Sequence, residues 1–384
     1  MSEKRSSAKR PDHLRTWIEI DARAARKNYD TFRKLIGKNA PPGKKVQLWA
    51  VVKSNAYGHG LFVFSKLLAD FGVDGFCVDS LVEGVALRKA GIKKPILVLG
   101  YTLPSLYAAA AKNEITITIS NFDALRALIR AKHPPRVHFK IDTGMHRQGF
   151  YMEDIPRAIA MLKKKIPLTG IFTHFAFAAD MKKPAYTEQQ RRVFLKAAEL
   201  FEDAGFKNLT KHMANTGGTL MNEKYHADAV RIGMGLYGLW PSPELYAQLK
   251  RKIILEPVLS WRTILADVKP LKKGDLVGYD LTERIVKNTA MGVLPIGYWH
   301  GLSRLQSGIG NVIVNGRRAR ILGRVSMDLA VIALAGRARL GDVVTIIGRD
   351  GKEMISAEEF AERSGTNNYE YPTRLNPLME RVVV

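Results

Sequence analysis

A chain of 384 residues with 46% hydrophobic content can bury the cores of two globular domains, and its formal charge of +24 invites a nucleic-acid reading. The basic residues are scattered, however: Lys4, Arg5, Lys9 and Arg10 near the start, Lys163 to Lys165 mid-chain, Lys272 and Lys273 later. With no nucleic-acid module and no aromatic-rich basic segment beside them, no specific nucleic-acid partner is expected. Cys77, the only cysteine, excludes a disulfide framework and a thiolate metal cluster and fits a reducing compartment, and no apolar run approaches the ~20 residues that cross a bilayer.

Residues 1–16 read as a flexible basic tail without an apolar signal core, so a cytoplasmic protein is expected. Trp17 to Ile20 alternates as a short strand, and Asp21 caps a helix running to Leu35. The apolar run Val46 to Val52 reads as a buried strand with Lys53 at its tip, where desolvation would lower the pKa of an amine, as a Schiff-base or proton-abstracting lysine requires. Tyr57, Gly58 and Gly60 follow in a turn.

Further strands are expected at Asp74 to Val78, Pro95 to Leu99, Thr116 to Ile119, Val137 to Ile141, Leu168 to Thr173, Lys211 to Ala214 and Ala229 to Ile232. Helical patterns lie between them, including Ser80 to Ala90, Asn121 to Ala131, Asp154 to Lys164 and Thr187 to Ala204. Eight strands within roughly 200 residues, most with a helix between, predict an α/β fold, an N-terminal (β/α)8 TIM-type barrel. From about Lys250 the texture changes to short β runs: Val258 to Ala266, Thr289 to Leu294, Val312 to Val314, Val331 to Leu334 and Val343 to Ile347, with one helix at Ser356 to Ser364. The expected domains are a barrel over 17–250 and a mostly β C-terminal domain over 251–384.

Barrels place their chemistry at the C-terminal ends of the strands. Lys53, Lys140 with Arg147, His174, Asn215 with Thr216, and Arg231 with Gly233 fall at five such ends and define one polar mouth. The loops after the last two strands carry Thr216, Gly217, Gly218, Gly233 and Met234, the small residues and amides that suit a phosphate. Gly233 to Gly238 also spells a dinucleotide fingerprint, but it follows seven earlier strands instead of the first, and close backbone approach explains its glycines.

The string Ala50-Val-Val-Lys-Ser-Asn-Ala-Tyr-Gly-His-Gly60 matches the cofactor-lysine motif of the alanine racemases, which bind pyridoxal 5'-phosphate (PLP), and the resemblance runs from Trp17 to the C-terminus. It implies that Lys53 holds the cofactor covalently and is the base facing the D-enantiomer. Tyr279, donated by the other subunit of a homodimer, would be the base facing the L-enantiomer. A tyrosine can serve when nearby His and Arg cations depress it. Arg147 resembles the residue that bonds the cofactor phenolate and the substrate carboxylate, and Lys140 matches a lysine that is often carbamylated. Met327, followed by Asp328, resembles the residue whose amide binds the carboxylate across the interface. Tyr57, Thr216, Gly233, Met234 and Tyr369 match the phosphate-binding set, and His174 and Arg231 the pair that tunes Tyr279 and the ring nitrogen. The resemblance also assigns Trp17 to Ile20 to the C-terminal domain and implies a role in supplying D-alanine for peptidoglycan.

Departures from the family pattern are Thr216 for serine, Asp280-Leu281-Thr282 for Gly-x-Thr, Ser326 before Met327, and Thr373. The alternatives are a broader racemase acting on serine or basic amino acids and a non-catalytic PLP carrier. The absence of a signal peptide and cysteine pair weighs against the first, and the extra domain against the second.

Overall fold

The computed structural model describes residues 12–37, 45–162 and 166–384. The start of the basic tail, Lys163 to Lys165 and the end of the helix expected over Asp154 to Lys164 lie outside the described residues. Two compact units emerge: one from Ala24–Ala56 and Phe64–Glu256, the other from the chain up to Arg23, Tyr57–Val63 and Pro257–Val384.

Strand β1 (Thr16–Ile20) belongs to the second of these. The first unit holds β2 (Gln47–Val51), β3 (Gly75–Val78), β4 (Ile96–Val98), β5 (Thr116–Ile119), β6 (Val137–Lys140), β7 (Leu168–Phe172), β8 (Thr210–His212) and β9 (Ala229–Ile232). They are parallel and close in chain order into a barrel, β9 pairing with β2. These strands read as short apolar runs because both faces are covered: β3, β4, β6 and β9 are buried at every residue. The helix caps follow the sequence. The Ser80 hydroxyl accepts the Glu83 N–H at the start of Leu81–Lys89, and the Asn121 side chain accepts the Ala124 N–H at the start of Phe122–Arg130. Helices Tyr107–Lys112 and Pro243–Leu249 were not expected, since six or seven residues are too few for a helical period to show. The penultimate barrel strand ends at His212, two residues before the expected Ala214.

The second unit holds β10 (Leu259–Ile264), β11 (Asp267–Leu271), β12 (Leu276–Val277), β13 (Glu283–Arg284), β14 (Thr289–Leu294), β15 (Asn311–Val314), β16 (Arg317–Leu322), β17 (Ala330–Leu334), β18 (Val343–Asp350), β19 (Glu353–Ile355) and β20 (Glu380–Val383). One sheet runs β11-β14-β17-β16-β15-β18-β10-β1-β20, with β19 on β18 and β12-β13 a separate hairpin. β1 lies antiparallel to β10 and parallel to β20, so Trp17 and Ile18 are buried between strands from the far end of the chain. The expected run Val258 to Ala266 covers β10 alone, and β11 is a separate strand. β16 was missed because its arginines hide a strand alternation: Ala319 and Ile321 are buried while Arg318 turns outward to Glu353 and Glu359.

Candidate active site

Lys53 follows β2 and opens a left-handed turn. Ser54, Asn55, Ala56 and Tyr57 have φ of 56, 55, 52 and 52°. Each L-residue held there costs about 1–2 kcal/mol, least for an asparagine. The sequence predicts a turn at this place but not its hand. The lysine is also less enclosed than a buried strand tip suggests: its side chain keeps 37% of its exposure and Nζ lies 3.7 Å from Asp79 Oδ1. Five residues on, in the second unit, Gly58 has φ +83 and a side chain there would stand 1.8 Å from the Pro372 carbonyl. Arg381 donates to the Gly58 carbonyl at 3.0 and 3.2 Å, so Tyr57 is fastened beside the segment that carries Tyr369.

The loop after β6 presents Arg147. Its organiser is Asp142, buried, whose Oδ1 accepts the N–H groups of Gly144, Met145 and His146 at 2.8–3.0 Å and whose Oδ2 accepts that of Arg147 at 2.9 Å. Burial raises this carboxyl's pKa, but the four N–H bonds outweigh it and hold it below the ordinary carboxylate value. Its stabilisation is therefore present above about pH 4 and is lost as pH falls through the lower folded value. Asp142→Asn is expected to cost about 1–3 kcal/mol in denaturant unfolding at neutral pH and to raise KM for a substrate held by Arg147. An unchanged KM would detach the loop from binding.

Lys140, buried at the end of β6, donates from Nζ to Gln148 Oε1 at 2.9 Å and lies 5.5 Å from the centre of the Phe172 ring. Burial first, then Arg147 and Arg231, lower its pKa to about 8, against a smaller opposing pull from Asp142. A substantial fraction is a neutral, nucleophilic amine at physiological pH.

Arg231 on β9 is buried, and its guanidinium is bonded on several sides. Nη2 donates to the Thr173 and Met213 carbonyls at 2.7 and 3.2 Å and to His174 Nδ1 at 3.3 Å, while Nη1 donates to His212 Nδ1 at 2.6 Å. These bonds fix the tautomers. His212 accepts at Nδ1, so its Nε2–H donates to His138 Nδ1 at 2.8 Å, and His174 carries its proton on Nε2. Burial and then Arg231 keep His138 and His212 neutral, His138 with its pKa pushed down to about 3. Burial lowers Arg231 itself to about 10, so it stays a cation at neutral pH. His174 is neutral too, held there by burial and then by Arg231, Lys140, Arg147 and Lys53. This corrects the expectation of a histidine cation: burial penalises the charged ring, and the neighbouring cations penalise it further.

Thr216 joins the last two loops of the barrel. Its hydroxyl accepts the N–H groups of Gly233 and Gly235 at 3.2 and 3.3 Å, and Asn215 caps the following helix through Gly218 N–H. Gly235 has no room for a side chain, since a Cβ would stand 2.3 Å from the Phe32 ring, and Met234 begins the turn between them.

In the second unit Tyr279 is 69% exposed, in a turn where Asp280 and Leu281 have φ of 59 and 51°. Position 280 thus has the backbone that suits the family's glycine. Here aspartate occupies it and pairs with Arg324 Nε at 2.7 Å. That bridge ties the Tyr279 turn to the loop bearing Met327 and Asp328, both exposed. The loop is held in turn by Tyr298 and Trp299 N–H groups donating to the Ser326 and Met327 carbonyls at 3.0 Å.

Sequence models of the alanine racemase N-terminal and C-terminal domains match residues 20–241 and 258–383. The chain is 39% identical to the alanine racemase of Listeria innocua, covering 96% of this chain and 98% of that one. It is 34% identical to that of Leptospira interrogans, with 98% of each covered. A crystal structure of alanine racemase from Bacillus anthracis with bound L-Ala-P superposes with a TM-score of 0.89 at 35% identity, covering 97% of this chain and 96% of that one. The chain belongs to the alanine racemase family.

Against this family's expected site, the barrel brings Lys53, Lys140, Arg147 and Arg231 within electrostatic reach of His174. The second unit gathers Tyr279 with Met327, and Tyr57 with the Tyr369 segment. Sequence reasoning missed Asp142, Glu83, Gln148, His138 and His212. Asp142 had a signal, an aspartate two residues before a glycine in a loop, and Ser80-x-x-Glu83 is the spacing of a capping box. The histidines had none: His138 lies inside the short strand β6 and His212 at the end of β8, and nothing in the local sequence pairs them. Among the described residues no group of three or more His, Cys, Asp or Glu side chains could hold a metal, and no helix is long and apolar enough to cross a membrane.

Proposed function

We propose that the chain interconverts L-alanine and D-alanine with pyridoxal 5'-phosphate as cofactor, Lys53 and Tyr279 being the two bases. The observation that carries this reading is the set of cations gathered where β2, β6 and β9 end: Lys53, Lys140, Arg147 and Arg231, around a neutral His174. Such a donor set fits an anionic aldehyde, with one accessible amine to bond it and fixed charge to hold it.

When bound, the cofactor supplies a ring that draws electrons from the substrate α-carbon and so acidifies its proton. Lys53 Nζ holds or moves that proton on the face of the D-enantiomer, and Tyr279 Oη does so on the face of the L-enantiomer. Arg147 and the Met327 amide orient the substrate carboxylate, and a partly neutral Lys140, open to carbamylation, supports Arg147. Thr216, Gly233, Met234, Tyr57 and Tyr369 hold the phosphate. Arg231, a cation at neutral pH, would face the ring nitrogen and disfavour its protonation.

The protein acts as a cytoplasmic homodimer in which Tyr279 and Met327 serve the partner's barrel, and its product supplies peptidoglycan synthesis. The domain limits 17–250 and 251–384, with the strand from Trp17 counted in the latter, are part of the same proposal. Mixing separately inactive Lys53→Ala and Tyr279→Phe proteins tests the exchange. Random reassortment of protomers restores about a quarter of the sites if Tyr279 crosses between subunits, and none if each protomer is self-contained.

A further inference from the structure

The turn that carries Lys53, from Ser54 to Tyr57, has no glycine to make its left-handed backbone easy, and the Ala56 N–H donates back to Val52 O at 2.9 Å. The N–H of Ser54 points elsewhere. It donates to Glu83 Oε1 at 2.6 Å, the shortest of three contacts to that carboxylate; the N–H of Asn55 reaches the same oxygen at 3.4 Å. Glu83 Oε2 accepts the N–H of Asp79 at 2.9 Å. Asp79 follows β3, and its own carboxylate is the group 3.7 Å from Lys53 Nζ.

Glu83 therefore spans two neighbouring strand ends. It stands at the third position of helix Leu81–Lys89, where its backbone N–H donates to the Ser80 hydroxyl, so its stem is anchored by the cap. In an ordinary capping box the carboxylate returns to its own N-cap; here one oxygen serves the residue just before that cap and the other serves the turn after β2.

We propose that Glu83 is a positioning residue for the catalytic lysine. Its carboxylate clasps the left-handed turn to the end of β3 and so fixes the direction in which Lys53 and its neighbour Asp79 present their side chains to the barrel mouth. The inference rests on the assignment of Lys53 as the cofactor-bearing residue. Glu83 does not touch the amine and acts only through the backbone. Two acceptor oxygens are needed at once, and only a carboxylate has them. In Glu83→Gln one oxygen becomes an NH2 that faces another N–H. Glu83→Asp keeps both oxygens but withdraws them by one methylene.

The test begins with the native chain. Ser54 is exposed, so its amide should exchange rapidly with deuterium unless Glu83 holds it. Slow exchange at Ser54 and Asp79 is expected, lost in Glu83→Gln and partly kept in Glu83→Asp. The second readout is the rate at which added pyridoxal 5'-phosphate becomes covalently attached to Lys53, trapped by borohydride and located by peptide mass. It should fall about 10- to 100-fold in Glu83→Gln, kcat falling with it while KM for alanine and the melting temperature stay nearly constant. Rapid exchange at Ser54 in the native protein, or an attachment rate unchanged in Glu83→Gln, overturns the clasp. Failure of the native chain to attach the cofactor at Lys53 overturns instead the assignment on which it rests, and the two failures are told apart by the native control.

Discussion

Tyr279→Phe is expected to lower alanine racemisation by about 10² to 10⁴-fold, the usual contribution of a positioned acid–base group. Both directions must fall alike in kcat/KM, because the two enantiomers are of equal energy. The asymmetry appears in isotope exchange. With Lys53 intact, D-alanine incubated in deuterated water still exchanges its α-proton, whereas L-alanine, whose proton faces the missing phenol, does not. The turn holding Tyr279 is fixed by its backbone and by the Asp280–Arg324 pair, neither of which the substitution touches, so the phenol oxygen alone is removed. Equal exchange of both enantiomers in Tyr279→Phe would remove this residue from the two-base assignment.

Lys53→Ala is expected to be more damaging, by about 10⁴-fold or more, since one atom is lost that both carries the cofactor and moves a proton. Arg147, Arg231 and the Thr216 loops remain, so the anionic cofactor still binds, but without the absorbance of the lysine-bound form. The N–H of Ser54 keeps its bond to Glu83 regardless of which side chain precedes it, and the fold is expected to survive. Retained visible absorbance of the bound type in Lys53→Ala would assign the covalent link to another amine. Lys140 is the first to examine, with its pKa already lowered to about 8.

The barrel was legible because most of its strands are short apolar runs bounded by turn residues, and because Ser80 and Asn121 announce their helices. The polar residues at five strand ends were legible for the same reason: once the strands are placed, Lys53, Lys140, His174, Thr216 and Arg231 fall at one end of them. What sequence could not supply is anything decided by the third dimension. The left-handed turn of Ser54 to Tyr57 depends on an acceptor, Glu83, that is 29 residues from Ser54. The neutrality of His174 depends on its burial first and then on cations carried by three other strands and their loops. The His138–His212–Arg231 chain forms only when β6, β8 and β9 come together, 74 residues separating the two histidines. In the β unit, the arginines of β16 masked a strand whose charge is absorbed by Glu353, Glu359 and Glu283.

The most direct test of the central claim is to load the purified protein with pyridoxal 5'-phosphate and follow L- and D-alanine by an enantiomer-specific coupled assay, with L-serine and L-lysine alongside. The expected result is turnover of both alanine enantiomers with equal kcat/KM values, well above that of the other two. Covalent cofactor with no alanine turnover would contradict the racemase reading and point to a carrier or a different reaction. Faster turnover of serine or lysine would move the specificity away from alanine, with the Tyr279 turn and the Met327 loop as its source.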